Sequence, residues 1–166
     1  MKSLFVFAVY AAITVPLHAS SLAQAKVSPS GLSELEATLA SHNVEVRLWT
    51  KEVEIGKSGF PPEVSQNSCT YSRIPCSLVE AIQLKIDGTS IFVPRSIFAD
   101  LSDLADVQMK ATLRGFVITA DGGDASAAYS VKIETEFGRV VKRTLSGYHD
   151  FEHPLQVTTY YDVVLN

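Results

Sequence analysis

The sequence predicts an all-β or β-rich α+β domain. The expected form is an antiparallel sandwich or partly open barrel of about seven strands with a short N-terminal helix. Three observations predict it. Apolar and polar residues alternate with period two in several short runs. Gly, Asp and Pro punctuate those runs at close intervals. No helical pattern long enough for a crossover separates them, so parallel βαβ units are not expected.

The elements follow in chain order. Met1-Lys2 is a short positive start, and Ser3 to Leu17 is apolar except at Thr14 and Pro16. Ala23-Gln24-Ala25 then supplies a small-x-small cleavage pattern, so residues 1–25 read as a secretory signal peptide. Cleavage is expected after Ala25, with Ala19 as the second choice. The apolar run is short for a membrane span of about 20 residues. No Cys precedes Cys69 to carry a lipid anchor. Residues 26–166 form one expected domain with no membrane-spanning segment, and without Lys2 it has 13 basic against 18 acidic residues, a net charge of −5.

Leu32, Leu35 and Leu39 sit at helical spacing, and Ser33 with Glu36 has the capping-box spacing, which predicts a helix over 33–41. From Val44 the period becomes two, which predicts a strand over 44–55 with a bend at Thr50-Lys51. Residues 56–77 hold Gly59, Pro61, Pro62, Pro75 and both cysteines and read as a long loop. Ile82, Leu84 and Ile86 alternate up to Asp87-Gly88, and Ser90 to Val93 returns, which is a hairpin ended by Pro94. Residues 95–106 place Ile97, Phe98, Leu101 and Leu104 at helical spacing between acidic residues and predict one or two helical turns packed on the sheet. Residues 107–119 read as one strand with Leu113, Phe116 and Ile118 in the core. Asp121 to Asp124 is a turn, strands follow over 129–136 and 140–145, 147–154 is a loop, and 157–163 closes the chain.

The whole chain has 166 residues, a net charge of −4 and 46% apolar residues, which excludes a disordered chain. The acidic balance gives no footprint for nucleic acid. Cys69 and Cys76 lie in the exported part and are expected to form one local disulfide. That economy of cysteine fits a bacterial periplasm or secretion. No cofactor is implied.

Candidate chemistry is sparse. His149 and His153 are four apart, but Pro154 and the order of residues do not fit a helical metal motif, so two solvated His in a loop is the preferred reading. Asp121 and Asp124 could offer oxygens to Ca²⁺ only with help from Asp100, Asp103 or Asp106; a plain turn is preferred. A Ser-His-Asp site built on His149 is possible only through the fold, because no nucleophile-elbow motif is present. The loop is the better candidate. Phe60, Tyr71, Arg73 and Ile74 are side chains of the kind that anchor protein interfaces, and the disulfide would constrain the last three.

Cys69-Thr70-Tyr71-Ser72-Arg73-Ile74-Pro75-Cys76 also resembles the reactive loop of Bowman–Birk-type protease inhibitors in its Cys-Thr-x-Ser start and late Pro. The likeness covers these residues alone, in a ring one residue shorter and without the double proline. It implies Tyr71 as the specificity residue and Tyr71–Ser72 as the contacted bond. Taken together, the expectation is an exported, non-enzymatic binding protein. Its partner would be a protein of the cell envelope, bound in the manner of an inhibitor or immunity protein. An accessory subunit of an envelope assembly and a metal-dependent hydrolase are the alternatives.

Overall fold

Alternating burial governs most strands of the described residues. A computed structural model describes residues 22–54, 69 and 75–161. Among the described residues ten strands form two antiparallel sheets that pack face to face without closing into a barrel. One sheet has the order β1 (Leu22–Lys26), β6 (Leu104–Ala111), β7 (Phe116–Gly122), β8 (Tyr129–Glu136), β9 (Arg139–Gly147), β10 (Gln156–Thr159). The other has the order β2 (Gly31–Leu39), β3 (His42–Val53), β4 (Cys76–Ile86), β5 (Thr89–Ile91). The expected sandwich is present.

The core comes from alternate residues of facing strands. Leu35, Val44, Val46, Leu48 and Leu84 of the smaller sheet meet a layer built from Val107, Met109, Ile118, Val131 and Ile133 of the larger one, all buried. Burying such a side chain stabilises by about 1.5–3 kcal/mol, which fixes register because a one-residue slip would expose the whole set.

Three expectations need correction. The helix over 33–41 is strand β2. Ser33, Leu35 and Leu39 turn inward and Leu32 is exposed, whereas a helical stripe would have buried Leu32 with Leu35 and Leu39. Ser33 is no cap, since its hydroxyl accepts the Ser28 N–H at 2.8 Å. The single strand over 107–119 is the β6–β7 hairpin, turning at Thr112 to Gly115, and Leu113 is fully exposed rather than core. The last strand is shorter and earlier, Gln156–Thr159. The bend expected near Thr50 is a bulge between Trp49 and Thr50.

The segment from β5 to β6 crosses the side of the sandwich. Its helical content is one 3-10 turn, Arg95–Ile97, and Ile97, Phe98 and Leu101 are buried as expected. Arg143 on β9, only 1% exposed, ties this segment down. Its Nε donates to the Ile97 carbonyl at 3.0 Å, and Nη2 donates to both Asp100 oxygens at 2.8 Å. Removing such a buried cation's anchors costs about 3 kcal/mol or more.

Connections sort by end. The β2–β3, β4–β5, β6–β7 and β8–β9 turns all lie at one end. The Val53–Cys76 pair, the Leu78–Ser102 bridge and the β7–β8 connection lie at the other.

Candidate functional site

The far end holds most of the residues singled out from the sequence. Cys69 and Cys76 are disulfide-bonded, with Cα atoms 5.7 Å apart, and pack beside Val53 and Leu78. Phe60, Tyr71, Arg73 and Ile74 lie outside the described residues.

Asp121, Ser130 and His149 do come together, because Asp121 and Ser130 are paired neighbours on β7 and β8 and the loop after β9 folds over them. The wiring is not that of a nucleophile and base. In a serine triad the imidazole takes the serine proton. Here Ser130 Oγ donates to Asp121 Oδ1 at 2.5 Å and accepts the His149 backbone N–H at 3.0 Å. The His149 ring faces the other Asp121 oxygen at 3.6 Å. Ser130 is wholly buried, so its hydroxyl staples the loop to the sheet.

The metal candidates are scattered. Asp124 precedes a short 3-10 turn, Ala125–Ala127, and its carbonyl accepts the Ala127 N–H at 2.9 Å. His153 faces Asp150 at 3.1 Å rather than His149. Asp100 holds Arg143, Asp103 accepts the Ser77 N–H at 2.9 Å, and Asp106 faces Lys26 at 2.9 Å. Among the described residues no three His, Cys, Asp or Glu side chains are grouped to hold a metal ion.

The hairpin end holds a cavity that sequence reasoning missed. A cavity of about 580 Å³ opens there between the sheets. Leu39, Val44, Ile91 and Phe116 line it, and all four belong to the buried core. His42, Asp87 and Arg114 stand among its lining with Leu113 and Phe137. An apolar cleft of this size with a few convergent polar groups is the usual form of a ligand site.

Local backbone chemistry builds its lips. Ala40-Ser41, Asp87-Gly88 and Phe137-Gly138 each have two successive residues at positive φ, the geometry of two-residue hairpin turns. Asp and Gly suit it; Phe137, at φ 49°, does not. The residue is nevertheless 77% exposed. The Phe137 N–H donates to the Arg114 carbonyl at 2.9 Å, which joins this tip to the β6–β7 tip carrying the exposed Leu113. Gly115 permits that join, because a Cβ there would meet the Thr135 carbonyl oxygen at 2.3 Å.

Asp87 closes the opposite rim. Its Oδ1 accepts the Asn43 N–H at 2.8 Å and its Oδ2 faces His42 Nδ1 at 2.7 Å. The His42 contact first, then the Asn43 N–H, hold its carboxyl below the usual carboxylate range. The fold and site thus define a two-sheet β-sandwich with an apolar cavity at its hairpin end. No family model, curated protein or solved structure matches the chain.

Proposed function

We propose that the protein is an exported, non-enzymatic binding domain and that the hairpin-end cavity holds its ligand. One observation carries this reading: two large apolar side chains, Leu113 and Phe137, project into solvent beside an apolar cavity, one from a strained turn position. Strain kept in an exposed aromatic points to use rather than packing. The disulfide supports a compartment outside the reducing cytosol. The Asp121–Ser130–His149 wiring staples a loop to the sheet and gives Ser130 no imidazole base.

Export requires cleavage of the leader, and β1 favours one of the two sites. Cleavage after Ala25 would remove Leu22 to Ala25, four of the five β1 residues paired with β6. Cleavage after Ala19 keeps the strand whole, so we assign processing to that bond.

Titration with N-phenyl-1-naphthylamine, a neutral apolar fluorophore, tests the site. Saturable one-site binding is expected. Leu113→Asn with Phe137→Asn should weaken it at least tenfold while circular dichroism stays unchanged. Equal binding by the double variant, or no saturable binding, overturns the reading.

The second reading keeps a protein partner of the envelope, bound as by an inhibitor or immunity protein through the 56–77 loop. What favours it is the anchorage of that loop: the chain leaves at Val53 and returns at its paired residue Cys76, beside the buried disulfide. An envelope partner lost on Tyr71→Ala with Arg73→Ala, while the fluorophore still binds, would favour it.

A further inference from the structure

The ligand's chemistry can be read from the cavity's charges. This step rests on the cavity being the binding site. The floor is aliphatic, with Phe116 its one ring, and it offers no charged group to a ligand's body. Discrimination therefore falls to the rim, where His42, Asp87 and Arg114 stand.

Asp87 is already engaged. Both of its oxygens have partners, the Asn43 N–H at 2.8 Å and the His42 ring at 2.7 Å, so much of its charge is answered before a ligand arrives. Arg114 differs. It forms a long, solvent-exposed ion pair with Glu136, with Nη1 3.8 Å from Oε2, beyond hydrogen-bond range, and its side chain is 67% exposed. A guanidinium has five N–H donors in a planar fork that suits an anionic head. The rim thus has one cation in a long ion pair without a hydrogen bond, with donors to give, and one anion already held by two short contacts.

We propose that the cavity binds a single-chain amphiphile with an anionic head. The aliphatic tail lies among Leu39, Val44, Ile91 and Phe116, and the head sits on Arg114. Leu113 and Phe137 flank the first carbons of the tail where it leaves solvent. Such a ligand is either a free fatty acid or a single-chain lipid with an anionic headgroup. Both share the chemistry that Arg114 reads.

Calorimetric titration with dodecanoate, dodecanol, dodecyltrimethylammonium and lysophosphatidylglycerol tests this, each below its micelle-forming concentration. The proteins are the wild type and Arg114→Gln. The substituted side chain is exposed, and the Arg114 carbonyl that accepts the Phe137 N–H is unchanged. Dodecanoate or lysophosphatidylglycerol should bind the wild type at least tenfold tighter than dodecanol. Whichever of the two anions binds more tightly identifies the source. Arg114→Gln should remove that preference, bringing the anions to within about threefold of dodecanol. Shortening the carboxylate by one methylene should weaken binding roughly three- to fourfold.

Dodecanol matching the anions, a preference that survives Arg114→Gln, or dodecyltrimethylammonium binding most tightly each overturns the anionic head and leaves the cavity as the site. If no chain-bearing probe binds, both the head-group assignment and the cavity reading fail.

Discussion

Phe137 shows how a single residue joins stability to function. An L residue in the left-handed region costs about 1–2 kcal/mol, and Asn tolerates that region best among residues with a side chain. Phe137→Asn should therefore raise unfolding stability by about 1 kcal/mol in urea titration while weakening binding of apolar probes. A loss of stability would show that the ring packs usefully against the protein. Tyr129 acts purely in the structure. Its hydroxyl donates to the Ser102 carbonyl at 2.6 Å and accepts the Ser102 N–H at 2.9 Å. Burial pushes its phenol well above the ordinary tyrosine range. Below about pH 10 the phenol is neutral in both folded and unfolded chains. Above that the unfolded chain releases a proton that the folded one keeps, so stability falls as pH rises. Tyr129→Phe should cost about 2 kcal/mol near neutrality, because it strands two backbone groups. The gap to wild type should narrow between about pH 8 and about pH 11; a constant gap would contradict this account.

Among the elements, the long alternating runs were legible and the ambiguous short ones were not. β3, the Asp87-Gly88 hairpin, β8 and β9 follow from period two and glycine turns. β2 escaped because Leu35 and Leu39 fit both a helix stripe and a strand face, and only the exposed Leu32 separates the two. The β6–β7 turn left a readable trace. Val107 and Met109 face inward at odd positions, whereas Phe116, Ile118 and Ala120 do so at even ones. A regular strand keeps its parity, so a turn or a bulge had to intervene near Leu113. Missing it placed Leu113 in the core and hid one lip of the cavity. The cavity itself joins turns distant in sequence, and no local pattern announces such a meeting.

β1 carries its own prediction at this scale. Asp106 binds it through Lys26 at 2.9 Å and Gln24 at 3.2 Å, and the Lys26 contact foremost holds its carboxyl below the usual carboxylate range. That contribution is present above the ordinary carboxylate pKa and fades as pH falls through the lowered value. A strand so held should survive processing. Intact mass of the exported protein should place the N-terminus at Ser20. A start at Lys26 would show that the larger sheet forms without β1.

For the whole molecule, the two ends of the sandwich divide the work. At the end bearing the disulfide, Asp103, Tyr129, Ser130 and Asp121 spend their polar atoms on holding segments together. At the hairpin end, apolar side chains and Arg114 face solvent around a cavity. Period-two alternation and cysteine spacing made the sandwich and its disulfide readable, but sequence pointed to the 56–77 loop for binding, since an interface motif is visible in sequence and a cavity is not. The central claim is that binding occurs at the hairpin end. Backbone amide shifts of isotope-labelled protein, followed during titration with N-phenyl-1-naphthylamine, test it most directly. Shifts concentrated at residues 39–44, 86–91, 112–116 and 137–138 are the predicted result. Shifts confined to residues 69–78 or 121–149, with the four hairpin turns unmoved, would contradict it.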